Sequence, residues 1–200
     1  MNDQTKRLKD LLSVPTYTWE EDELILHVVE STENLHDEIK IDEIGNIYIT
    51  KGKCEPGTYY PCFVAHLDTV HRKVDMVVKE ERLPNAQGEL KPAFKAYEEI
   101  SGDPTGIGGD DKAGVFICLE LLREIGDFIK EVKEVILEHG ITDWLHHPYT
   151  DTMILKNLFD FSCLNFAAGY YRYHTQHEYV VIEDTLNTLS LAKEIVKILG

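Results

Sequence analysis

An α/β fold is the expectation this chain raises, and three observations carry it. Apolar residues recur at helical spacing in Leu24, Ile25, Val28 and Val29, in Val115, Phe116, Leu119 and Leu122, and in Leu186, Leu189, Ile195 and Leu199. Between those stretches the period changes to two, with Ile39, Ile41, Ile47 and Ile49 alternating around a Gly45-Asn46 turn. The apolar run YYPCFVAHLD, residues 59–68, reads as a buried strand that ends in polar groups.

Taken in chain order, residues 3–13 form a short helix, and Thr18 with Glu21 makes a capping-box pattern ahead of a second one. A hairpin over EIKIDEIGNIYIT and the strand 59–68 follow. VDMVVKEERLPNAQGELKPAFKAY gives two more strands joined by a Pro-Asn-Ala-Gln-Gly loop. After the glycine loop GIGGDDKAGV, residues 106–115, comes a helix from about 111 to 125, then a helical stretch, FIKEVKEVILEHG. A short helix near 151–159, the strand FDFSCLNFAAG and a last helix complete the series. There is no repeat, low-complexity tract or flexible linker, so residues 1–200 read as one domain.

Charge narrows the function. With 36 Asp and Glu against 20 Lys and Arg, the formal net charge is −16, and no broad surface could replace phosphate counterions; nucleic acid is not the partner. No run of 18 apolar residues exists to cross a membrane, and charges at Asp3, Lys6, Arg7 and Lys9 interrupt any signal-peptide core. The expectation is a soluble, cytoplasmic protein. Cys54, Cys62, Cys118 and Cys163 are scattered without a C-x-x-C, as buried thiols are and thiolate metal sites are not. Trp19 and Trp144 read as packing residues, and Cys62 and Cys163 as thiols made inert by burial in mid-strand.

The glycine loop offers phosphate, calcium or a transition metal as its ligand. A phosphate loop needs Lys followed by Ser or Thr, where this chain has two aspartates. A calcium loop needs oxygen ligands at alternating positions, and PTGIGGDDKAGV has too few. There remains a carboxylate at a helix N-terminus, kept ionised by the dipole and awaiting partners from elsewhere. Those partners are His66 and Asp68, at the end of the strand in VAHLDTV, and His174, in GYYRYHTQHEY. Asp110 stands at the mouth of the glycine loop, and in an open α/β sheet ligands bind in the crevice beyond the strand ends. His-x-Asp has its own logic: one ring nitrogen ligates while the carboxylate takes the other N–H.

HLDTV, GIGGDDKAGV and GYYRYHTQHEY together resemble the zinc aminopeptidase and carboxypeptidase superfamily, in particular its peptidase T (tripeptide aminopeptidase) branch; the match is specific over 60–70 and 105–125, good over 147–199 and weaker before 55. The resemblance implies a three-layer α/β/α sandwich with a mixed sheet. It also implies one or two metal ions, usually zinc, with Asp110 as the bridging ligand, His66 on one ion and His174 on the other. Asp68 would serve catalysis by orienting His66, while Asp111 and Lys112 match the motif without needing to touch metal. The implied reaction is hydrolysis of peptide or acyl-amide bonds in short peptides by a metal-activated water, with a glutamate as general base.

The chain departs from the family in the middle. The Glu-Glu pair that supplies base and ligand is missing, as is a later Asp ligand. Only residues 126–150 separate the glycine-loop helix from the family-like HPYTDTMILKN, so central strands and the lid domain are lost. Glu138, on a predicted amphipathic helix, is a poor substitute. Losing the base costs roughly 10²- to 10⁴-fold in rate. Three readings therefore stay open: a weak or inactive peptidase T-like hydrolase, a non-catalytic remnant that binds metal or peptide, and an engineered or deletion splice over 124–147. A sheet shortened in this way exposes an edge that a second copy would cover. His139, His146 and His147 with Asp143 read as an ordinary patch, and His71 and His177 as residues of the crevice rim.

Overall fold

The computed structural model describes residues 2–52, 62–124, 138–139 and 166–199. The predicted helix near 151–159, most of the strand FDFSCLNFAAG, nearly all of FIKEVKEVILEHG, and the residues Cys54, Cys163, Asp143, Trp144, His146 and His147 lie outside them.

Helices and antiparallel sheets alternate, which is the α/β class. Helix α1 (Asp3–Leu12) starts at Asn2, whose side chain accepts a hydrogen bond from Thr5 N at 2.8 Å, and it buries Leu8, Leu11 and Leu12. Helix α2 (Asp22–Ser31) buries Leu24 and Val28. Its predicted capping box does not form. Glu21 is the cap position and makes no side-chain cap bond, while its carboxylate accepts from Trp19 N instead. Thr18 is occupied elsewhere, with its hydroxyl turned toward Asp68 and Thr69. A nearby acceptor outside the helix has won over the local cap.

Strands β1 (Glu38–Ile41) and β2 (Ile47–Thr50) form the predicted hairpin, with Ile39 opposite Ile49 and Ile41 opposite Ile47. Its turn is organised by Asp42, whose carboxylate accepts from Ile44 N, Asn46 N and Asn46 Nδ2. The second hairpin joins β3 (Met76–Pro84) to β4 (Leu90–Glu98), and Asn85 Oδ1 gathers Gln87 N and Glu89 N in the connecting loop.

The larger sheet runs β3-β4-β7-β6, with β5 (Pro104–Thr105) also paired to β4; β6 is Tyr170–Tyr171 and β7 is Tyr179–Val181. Every strand pairing among the described residues is antiparallel. The segment expected as a buried strand, 59–68, is not one where it is described. Residues 62–69 have no strand pairing, and Cys62, Phe63 and Val64 are exposed, so the inert mid-strand thiol expected at Cys62 is instead open to solvent. An apolar run reports a capacity for burial and not a pairing partner. The segment is held by the α1–α2 connection instead: Thr16 Oγ1 donates to Leu67 O, Thr69 Oγ1 to Thr16 O, and Thr18 N to Thr69 O.

Helices α3 (Gly109–Glu124) and α4 (Ile182–Leu199) pack on one face of the sheet. Val115, Phe116, Leu119 and Leu122 are buried as their spacing predicts, and α4 buries Leu189 and Ile195. Alternation in β4 divides the interior: Phe94 and Ala96 join the helices, while Ala93 packs with Tyr179 and Val181 on the opposite face. Glu120 in α3 is almost fully buried and accepts from Arg7 Nε and Nη2 at 2.7 and 2.6 Å, tying α1 to α3. No helix among the described residues is long and apolar enough to cross a membrane.

Phe94 has no exposed surface and Ile100 is 97% exposed. Replacing Phe94 by alanine therefore removes about 3–5 kcal/mol of stability in urea unfolding. The same change at Ile100 stays within about 0.5 kcal/mol.

Candidate functional site

The glycine loop is tight because its surroundings leave no room for side chains. A Cβ on Gly106 would stand 2.1 Å from the His71 ring, and one on Gly109 would stand 2.6 Å from Val180 Cγ2. Gly108 sits at φ +69, a left-handed conformation that glycine adopts without strain. The backbone thus threads between β6 and β7 on one side and the Thr69–His71 segment on the other, and delivers Asp110 at the edge of the fold. Asp110 and Asp111 are non-helical, joined by a cis peptide bond, and the regular helix begins after them. Asp111 Oδ1 then accepts from Gly114 N at 3.0 Å and caps that helix.

Asp110 is where the predicted residues meet. Its Oδ1 lies 3.2 Å from His66 Nε2 and its Oδ2 lies 3.2 Å from His174 Nε2. One carboxylate thus stands between two imidazoles. Asp68 stands where the His-x-Asp logic puts it, with Oδ1 3.2 Å from His66 Nδ1, and its main-chain oxygen is closer still at 3.0 Å. Because a carbonyl oxygen can only accept, Nδ1 carries a proton. On a neutral ring Nε2 would then aim a lone pair at the Asp110 carboxylate, an arrangement that needs a proton or another cation between them. In the chain as it stands the proton supplies it: hydrogen bonding to Asp110, against the opposing effect of burial, pushes the His66 pKa up to about 9. Burial pushes Asp110 upward, but the hydrogen bonds and charges of His66 and His174 outweigh it and hold the carboxyl below its ordinary range.

His174 is presented by the turn between β6 and β7. Arg172 and His174 both have positive φ there, and Thr175 Oγ1 donates to Arg172 O to brace the turn. The Tyr173 ring meets His174 edge-on, with ring centroids 5.2 Å apart. Behind Asp110, burial raises Asp111 to about 7 and lowers Lys112 to about 7, with Glu178 opposing the fall. Lys112 is anchored by the main-chain oxygens of Val14 and Ile107.

Glu178 is a functional neighbour that the spacing of the motifs does not reveal. It has no exposed surface, its Oε2 accepts from Gly108 N and faces His71 Nε2, each at 2.8 Å, and its Oε1 accepts from Asp110 N at 3.1 Å. The available signal was a carboxylate immediately before the apolar triplet Tyr179-Val180-Val181. His71, expected on the rim, lies under the glycine loop instead, with its side chain 11% exposed, because Glu178 draws it inward. His177 is exposed on the turn beside Gln176. His139 lies 3.5 Å from Glu194 of α4. Trp19 is not a packing residue: it is 86% exposed at φ 70, and its main-chain N–H donates to Glu21 Oε1.

Among the described residues no group of three or more His, Cys, Asp or Glu side chains surrounds a single metal position. The geometry is instead one imidazole per carboxylate oxygen, two half-sites sharing Asp110. No family model matches the chain, and no curated protein or solved structure matches it.

Gly106→Ala drives a methyl group into the His71 ring, and the cost is about 1–3 kcal/mol by urea unfolding. By NMR, the His66 ring of the metal-free chain titrates near 9, and Asp110→Asn brings the midpoint down toward the ordinary 6.5. The sign for stability follows: a raised histidine pKa stabilises fully below 6.5, and that contribution is gone once pH has risen through about 9.

Proposed function

We propose that the chain is a shortened, peptidase T-like metal-dependent hydrolase of the zinc-peptidase architecture, acting on peptide or acyl-amide bonds of short peptides. The observation that supports this most is the Asp110 carboxylate facing one imidazole Nε2 with each oxygen. Two donors on one tetrahedral zinc, with bonds of about 2 Å, lie roughly 3.3 Å apart. The 3.2 Å contacts fit such a donor pair on both sides of Asp110, and two imidazoles with one carboxylate suit zinc or a similar divalent ion. In this reading His66 and His174 would each hold an ion and Asp110 would be shared between them, with Asp68 beside the Nδ1 of His66. Bound zinc supplies Lewis acidity toward a substrate carbonyl and a water that ionises at neutral pH.

The chain's own residues do the rest. Asp110 and the histidines set the position of the ions, Asp68 keeps a proton on Nδ1, and the exposed faces of His66 and His174 leave the site open to a short peptide. Glu178 does not serve as the base, since its carboxylate is fully buried and engaged with three partners. Without the family's Glu-Glu pair, turnover is slow. A cytoplasmic location and pairing with a second copy along an exposed sheet edge belong to the same reading. A non-catalytic metal-binding remnant is the second reading, favoured by the missing pair alone.

Zinc content and hydrolysis of di- and tripeptides test both. Wild type takes up one or two zinc ions, Asp110→Ala abolishes uptake, and His66→Ala and His174→Ala each weaken it. Asp68→Ala removes the carboxylate beside His66 Nδ1 but keeps the main-chain oxygen that holds its proton, so zinc affinity falls by less than the roughly 10- to 100-fold that follows full loss of such a partner. Slow hydrolysis lost in Asp110→Ala supports the hydrolase, and uptake without turnover supports the remnant. Zinc uptake indifferent to all four substitutions overturns the site.

A further inference from the structure

Glu178 has an environment that a packing residue does not need. A carboxylate with no exposed surface is costly unless its oxygens are satisfied. Here each oxygen accepts a main-chain N–H from the glycine loop: Oε2 from Gly108 and Oε1 from Asp110, on either side of Gly109. The third contact, His71 Nε2 at 2.8 Å, fixes the carboxylate from below, and the absence of a side chain at Gly106 is what lets the His71 ring lie there. Lys112 packs against Gly108 on the same loop.

We infer that Glu178 is the positioning residue of this site: its carboxylate, held by His71, folds the glycine loop so that Asp110 stands between His66 and His174. The inference rests on the metal-site reading for its consequence, though not for the loop geometry. The chemistry asks for a carboxylate. Gly108 and Asp110 both present N–H donors, one to each oxygen, and a glutamine of the same size has a single oxygen. Whichever way its amide is turned, an NH₂ group faces one main-chain N–H. The Asp110 backbone amide is one of the two donors, so releasing it frees the residue whose carboxylate the two histidines share. Glu178 acts through Asp110 and touches no reacting atom.

The test compares Glu178→Gln with Glu120→Gln in the full chain. Glu120 is equally buried and charged, but it binds Arg7 and Arg123 away from the loop. Main-chain hydrogen exchange of the metal-free proteins is read at Gly108 and Asp110, and zinc affinity is read by calorimetry. In Glu178→Gln, exchange at one or both amides rises about tenfold, as expected for losing a hydrogen bond to a charged group. Zinc binding weakens about 10- to 100-fold, and Glu120→Gln changes neither beyond its loss of global stability. Unchanged amides in Glu178→Gln overturn the inference. So do loosened amides with wild-type zinc affinity, since Glu178 would then be structural only. If wild type takes up no zinc, the metal reading fails by itself, and the amide measurement alone decides whether Glu178 holds Asp110. Should Glu178→Gln not fold, His71→Leu removes one partner of the carboxylate while leaving the loop's own sequence unchanged; smaller rises in exchange at the same two amides support the inference, and unchanged amides overturn it.

Discussion

A carboxylate held between two imidazoles is the constraint around which the rest of this molecule is arranged. Asp110 cannot approach His66 and His174 at 3.2 Å each unless three distant segments are fixed relative to one another. Each has its own restraint. The His66 segment is laced to the α1–α2 connection through Thr16, Thr18 and Thr69. The His174 turn is braced by Thr175, and the glycine loop is pinned by Glu178. Because the main-chain oxygen of Asp68 holds one proton of His66 on Nδ1, the hydrogen bond to Asp110 takes a second on Nε2, and the ring's pKa is raised accordingly.

Three ionisable side chains of the interior are satisfied locally. Glu178, Lys112 and Glu120 are all essentially inaccessible. Lys112 reaches main-chain oxygens of Val14 and Ile107, and Glu120 takes Arg7. Such pairs contribute little net stability compared with apolar packing, yet losing one partner is expensive. They therefore specify an arrangement more than they strengthen it. The apolar layer around Phe94, Phe116 and Val180 supplies the driving force, and the polar contacts choose which loop conformation it supports.

What the sequence disclosed and what it concealed divide along the range of the interactions. Periodicity located α2, α3, α4 and both hairpins, since those patterns are carried by residues a few positions apart. The stretches VAHLDTV, GIGGDDKAGV and GYYRYHTQHEY brought His66, Asp68, Asp110 and His174 into view, because their chemistry and motif context are local. Glu178 escaped notice since nothing within its neighbourhood shows that two amides 68 and 70 positions earlier will need its oxygens. The capping box at Thr18 failed for the same reason: its hydroxyl found Asp68, 50 residues away. The apolar run before His66 reads like a strand, but pairing is a property of two segments and cannot be read from one. Trp19 went astray because burial was inferred from side-chain size alone, while its backbone conformation and neighbours hold it outward.

The turn between β6 and β7 carries an exposed histidine and, four positions on, an inaccessible glutamate that grips the opposite loop. Its length is therefore a gauge. Gln176 and His177 are exposed and leave room for other side chains, yet one residue inserted or removed between 174 and 178 would put the histidine out of step with the anchor. The hairpin is thus fixed in length while remaining permissive in composition at its exposed positions.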